Sequence, residues 1–263
     1  MEPTFSEFSY GYALTQELAS GRFGPLIAAP VFPSLFMEGR PGGGYDIQLP
    51  LVGAPLFLQF KLSHYLHRSN ALEWGQYLSP YYRMYLRPLR YSDQHNLLID
   101  LESSGEQVYY VAPEFHTVEE LNDAYASRNV YHKSAFFSPV DIGNLPTIGQ
   151  HCLTFNSSSR YALLWSREPK ELKRPHSSED FESTLAKHVR ERGSKIDNST
   201  FERLADGMIE ILDNRARKTA RLKEFQTQIK SQKERIREAF NFAAYLARLF
   251  FDAELFIVGE QDN

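Results

Sequence analysis

The stretch GRPGGGYDIQLPLVGAPLFLQFKLS, residues 39–63, decides how this chain is read. It predicts a glycine-rich turn and a short strand over Tyr45–Leu51. A tight VGAP turn follows, then an apolar strand over Leu56–Leu62, so the segment is expected to form a hairpin. Alternate strand residues share a face. Gln59 and Lys61 therefore point one way, and Leu56, Leu58 and Phe60 the other. Counting outward from the turn sets Asp46 near Lys61. A carboxylate, an amide and an ammonium thus converge at one end of a strand that is otherwise fit for burial. A solvated amphipathic edge hairpin is the plain alternative, but an unpaired lysine in a central strand is costly.

Working outward, Thr4 followed by Glu7 gives a capping-box start for a helix over residues 4–20, with Gly21 as its stop. Phe5, Phe8 and Tyr12 are expected on one face of it. Residues 63–78 show helical periodicity. YYRMYLRPL reads as a strand, and HNLLIDLESSGEQVYYVA as two strands around SSGE. A short helix spans Thr117–Ser127, and SAFFSP, HCLTF and RYALLWS are strands. After Trp165 the composition turns charged, with a helix near Glu179–Arg192. Residues 200–250 read as almost wholly helical, and ELFIVG as a strand returning to the sheet. The order predicts a mixed α/β domain over residues 1–166. A charged linker and helical region follow over 167–263.

The 263 residues, 42% hydrophobic and 14% aromatic, suffice for a large core. The net charge of −4 does not advertise a nucleic-acid partner, so local charge matters more. Residues 215–237 hold nine Lys or Arg against two Glu, including Arg217, Lys218 and Arg221. Leu222, Phe225, Ile229 and Ile236 recur there at helical spacing, so one face packs and the other is free for phosphates. Upstream, PYYRMYLRPLRY interleaves tyrosines with Arg83, Arg87 and Arg90, groups suited to stacking and phosphate pairing.

Other chemistries find little support. The single cysteine, Cys152, excludes a disulfide framework and reads as a buried structural thiol in a reducing cytoplasm. The start, MEPTFSEFSY, lacks a basic region and apolar run, so no leader is expected. No apolar run reaches the length of a membrane span. GRPGGG lacks the GK[ST] ending of a phosphate loop. No serine sits in G-x-S-x-G. His64 and His67 lack a third ligand nearby and read as a surface pair.

The helix, then GGGYDI, then FLQFK, resembles the PD-(D/E)xK nuclease superfamily. The closest likeness is to Mrr-type restriction nucleases, in which glutamine replaces an acidic motif residue. The resemblance implies a restriction-endonuclease-like mixed sheet flanked by helices. It also implies a Mg²⁺- or Mn²⁺-dependent endonuclease acting on DNA, in defence against foreign or phage DNA. Carried over, Asp46 and Gln59 become metal ligands with the backbone carbonyl of Phe60, and Lys61 the lysine at the attacking water. Glu7 becomes the helix glutamate, with Glu17 as the alternative. Oxygen donors of this kind suit Mg²⁺. The basic residues would contact DNA, and the C-terminal helices a second copy or a protein partner. The alternative is a non-catalytic nuclease-fold scaffold, supported by the missing charge at position 59.

Overall fold

The computed structural model describes residues 1–20, 52–156, 161–172, 177–216, 222–236 and 238–259. Asp46, the glycine-rich turn and the expected strand over Tyr45–Leu51 lie outside them, as do Gly21, Arg217, Lys218 and Arg221.

Helix α1 (Glu7–Ala19) leads to β1 (Val52–Phe60) and β2 (Ser63–Leu66). A one-turn α2 (Trp74–Tyr77), β3 (Tyr81–Leu86), α3 (Gln94–Ser103) and β4 (Gln107–Pro113) follow. Next come α4 (Val118–Ala126), β5 (Ser134–Phe137), α5 (Pro139–Ile142), β6 (His151–Phe155), β7 (Ala162–Trp165) and β8 (Pro169–Leu172). The chain closes with α6 (Ser178–Arg192), β9 (Ser194–Lys195), α7 (Asn198–Ala216), α8 (Leu222–Arg235), α9 (Ala239–Leu246), a π-helix (Ala247–Phe251) and β10 (Glu254–Gly259). The class is α/β with a mixed sheet, flanking helices and a helical C-terminal region, as expected.

Two five-stranded sheets carry the fold. The first runs β10-β1-β4-β5, with β9 on β1. Its β1–β4 pair is parallel, with Gln59 opposite Tyr110, and its other pairs are antiparallel. The second runs β2-β3-β6-β7-β8 and is antiparallel throughout. Only Lys61 and Leu62 separate β1 from β2, so the chain changes sheets at Lys61.

Alternation on β1 sorts the core. Leu56 and Leu58 join a cluster with Tyr10, Leu14 and Leu18 of α1 and Phe181 of α6. Phe57 joins the larger cluster, which spans α3, the second sheet, α7, α9 and β10. The C-terminal helices therefore share one apolar core with the first 166 residues.

Several expectations give way to tertiary pairing. VGAP is no turn but the start of β1, paired through Gly53↔Gly259 to Pro55↔Ile257. Pro55 is tolerated because the ladder with β4 begins only at Leu56↔Gln107, so its missing N–H costs that ladder nothing. Ser63–Leu66 is a strand because it finds β3, and the Ser63 hydroxyl donates to the Pro113 carbonyl instead of capping a helix. Residues 94–103 are helical because Leu97, Leu98 and Leu101 fall on one buried stripe. In α1 the cap is Ser6, whose hydroxyl accepts the Ser9 N–H at 3.1 Å. Thr4 instead accepts the Val118 N–H at the start of α4, at 2.9 Å. Phe5 is buried, whereas Phe8 and Tyr12 are 71% and 55% exposed. The buried stripe of α1 runs Tyr10, Leu14, Glu17, Leu18.

Gly11 lets α1 close on β1. A Cβ there would meet the Phe60 ring at 3.2 Å. Gly11→Val is expected to overpack this crossing and cost about 1–3 kcal/mol, read by urea unfolding.

Candidate functional site

In open sheets, ligands settle at the carboxyl ends of parallel strands. The β1–β4 pair ends at Phe60 and Pro113, and polar side chains gather there.

Gln59 is 1% exposed on an otherwise apolar strand. Its Nε2 donates to Asp252 Oδ2 at 3.0 Å. Its Oε1 is buried without a hydrogen-bond partner among the described residues. A buried acceptor left without a donor is costly and calls for a reason. Two residues on, the Lys61 N–H continues the ladder to the Val111 carbonyl at 2.9 Å. Its ammonium lies 4.0 Å from the same Asp252 oxygen. Burial pulls the Lys61 amine below its ordinary value of 10.5. Glu7 and Asp252 act against this, and Arg87 adds to it. Glu7, the first residue of α1, and Arg87, just past β3, therefore lie within electrostatic reach of Lys61. Both are exposed.

Asp252 is the residue that sequence reasoning missed. It ends the π-helix in a left-handed conformation, φ 51°. Aspartate tolerates that geometry better than most residues. The extra residue of a π-turn re-aims the side chains next to it and often marks a functional position. Gln94 Nε2 donates to the Phe251 carbonyl at 3.1 Å and fixes the approach. The one clue in the sequence was an acidic residue two positions before a strand already expected to return to the sheet. Nearby, Arg248 pairs with Glu254 at 3.1 Å. Burial nonetheless raises the Glu254 carboxyl, with Asp252 adding to the rise.

Behind Gln59 stands a neutral relay. His95 Nε2 must donate to the Gly143 carbonyl at 2.8 Å, which leaves Nδ1 to accept the Tyr110 hydroxyl proton at 2.9 Å. Burial lowers the His95 pKa, consistent with an uncharged ring.

Other candidates fall elsewhere. Glu17 is 4% exposed, and its two oxygens accept the Val130 and Tyr131 N–H groups at 3.0 and 2.7 Å. It ties α1 to the approach of β5 and is not at the site. Arg83 is not free for phosphate, because the buried Glu73 holds its guanidinium and the Tyr85 hydroxyl accepts from it at 3.1 Å. The Phe60 ring packs on Tyr10, edge to face at 5.9 Å, while its backbone carbonyl, the expected ligand, stays at the carboxyl end of β1 between Gln59 and Lys61. At the start of the basic run, Arg215 is anchored to Asp100 at 2.6 Å. Cys152 is buried, and burial pushes its thiol up to about 12.

A divalent ion finds two hard donors here, Gln59 Oε1 and the Asp252 carboxylate, and the orphaned oxygen suits one. No three His, Cys, Asp or Glu side chains form a metal-holding group among the described residues. The hairpin register expected to set Asp46 beside Lys61 does not form, because VGAP lies inside β1 and both edges of β1 are taken by β10 and by β4 and β9. No helix among the described residues is long and apolar enough to cross a membrane. Comparison of the chain with protein-family models, curated proteins and solved structures matches none of them.

Proposed function

We propose that this protein is a metal-dependent nuclease that hydrolyses phosphodiester bonds of DNA. The observation that carries the reading is the convergence of Gln59, Lys61 and Asp252 at the carboxyl end of the parallel pair, with a half-buried lysine whose pKa is lowered. Gln59 and Asp252 would hold Mg²⁺ or Mn²⁺. Such an ion supplies Lewis-acid polarisation of the phosphodiester and a more acidic bound water. Lys61 holds the attacking water and, when deprotonated, accepts its proton. Arg87 meets the phosphate charge, and Glu7 orients the lysine. The resemblance to restriction nucleases extends the reading to defence against foreign DNA.

The test is cleavage of supercoiled plasmid and linear duplex with Mg²⁺, Mn²⁺ or EDTA. Metal-dependent nicking is expected. The second reading, a nuclease-fold scaffold, is favoured by the absence of a three-acid cluster among the described residues. It predicts duplex binding that EDTA leaves unchanged and no cleavage with either metal.

The Lys61 shift gives a pH signature. A lysine base works deprotonated, so cleavage should rise with pH and level off at a break below 10.5, the direction set by burial. A pH–rate profile at saturating metal checks it, and Lys61→Arg should remove the break.

A further inference from the structure

The opposite end of β1 carries a second site. A cleft of about 270 Å³ opens beside Gly53, Ala54 and Pro55. At ~3.3 Å per strand residue, it lies roughly 20 Å from Lys61. Its walls carry His188 and Arg192 of α6, Ser194 of β9, Thr200 and Arg203 of α7, and Glu106 from the turn before β4.

Two arginines line this cleft without a carboxylate partner among the described residues. Arg83, Arg215 and Arg248 each have a carboxylate partner. Arg192 makes no hydrogen bond or ion pair among the described residues, and Arg203 donates only to the Ser199 and Thr200 hydroxyls at 3.1 and 3.5 Å. The guanidinium of Arg192 lies over Gly105, where a Cβ would come within 3.1 Å of its Nη1. Gly105 has φ +109°, so both the turn and the close approach suit glycine. Burial and the neighbouring Arg192 hold His188 below its usual pKa. Glu106 is also unpaired among the described residues, and burial alone pushes its carboxyl up to about 7. Two guanidiniums facing a common space, with hydroxyls beside them, suit the oxygens of a phosphate. A half-buried carboxyl lining the same cleft suits hydrogen-bond donors on whatever bears that phosphate.

We infer that this cleft binds a small phosphate monoester whose organic part donates hydrogen bonds, of nucleoside-monophosphate size. Arg192 and Arg203 grip the phosphate, and Glu106 reads the hydroxyl or amino groups of the body. At about 270 Å³ the cleft lies just below the usual range of small-molecule pockets, about 300–1,000 Å³, which suits a ligand this small. The inference does not depend on the catalytic reading.

Calorimetric titration of the full chain in EDTA tests it, with inorganic phosphate, AMP and GMP as probes. At least one nucleotide is expected to bind roughly tenfold or more tighter than phosphate. Arg192→Ala and Arg203→Ala, both exposed positions, should each weaken it by about tenfold. Glu106→Gln should keep phosphate binding and lose most of the preference for the nucleotide. Lys61→Met should bind as the wild type does, which separates this cleft from the candidate nuclease site. The inference is overturned by no binding of any probe at millimolar concentration, by equal affinity for phosphate and both nucleotides, or by affinities that neither arginine variant changes.

Discussion

Asp252→Asn is expected to reduce metal-dependent cleavage by about a hundredfold or more while leaving stability within about 0.5 kcal/mol of the wild type. The separation arises from where Asp252 sits. Its side chain is 65% exposed, so the fold gains little from burying it. Its backbone is left-handed, a conformation that asparagine also tolerates, so the turn after the π-helix survives. The loss is one of charge. Asp252 is the carboxylate that both Gln59 and Lys61 face, at 3.0 and 4.0 Å. An amide there would hold a divalent ion more weakly and would no longer oppose the burial-driven fall of the Lys61 pKa. Plasmid cleavage and urea unfolding on the same preparation read both halves. Equal loss in both would show that Asp252 acts through folding.

The largest effect on stability is expected at Glu17, which looks like a site carboxylate in the sequence. Glu17→Ala removes the acceptor for two buried N–H groups, those of Val130 and Tyr131. Each orphaned donor costs about 1–3 kcal/mol. A loss of about 3 kcal/mol is expected, or roughly 6–12 °C in Tm for a chain of this size. Glu17→Gln keeps one acceptor and should lose about half as much. Equilibrium denaturation decides it. Unchanged stability in Glu17→Ala would mean that the loop before β5 finds other acceptors.

These two residues mark how far the sequence could be read. Local signals held where local physics decides. The helix expected over Thr117–Ser127 is α4, and Thr117 and Glu120 cap its start. The apolar runs SAFFSP, HCLTF and ELFIVG are strands. Leu56, Leu58 and Phe57 divide between two cores by simple alternation, and this places Gln59 with Phe57. Most misreadings come from partners elsewhere in the chain, although the helix over Gln94–Ser103 carries its own local stripe of Leu97, Leu98 and Leu101. Gly53 and Pro55 look like turn residues until Gly259 and Ile257 arrive from some 200 residues away to pair with them. Ser63 looks like a helix cap until Pro113 and Met84 claim its hydroxyl and backbone. Arg83 looks like a phosphate ligand until Glu73 neutralises it. The candidate site was half legible for the same reason. Gln59 and Lys61 stand out within one strand, but the carboxylate facing them lies 193 positions away from Gln59. No short-range pattern reports it.

The central claim is that the polar end of β1 performs phosphodiester hydrolysis, and Lys61→Met tests it most directly. The substitution keeps the length of the side chain and removes a charge that burial disfavours, so the variant should fold at least as well as the wild type. Its cleavage of supercoiled plasmid in Mn²⁺ would be measured beside that of the wild type, with EDTA controls and melting curves for both. Metal-dependent nicking is expected of the wild type, with a loss of about a hundredfold or more in a variant of equal or higher Tm. Wild-type cleavage retained by Lys61→Met would contradict the claim.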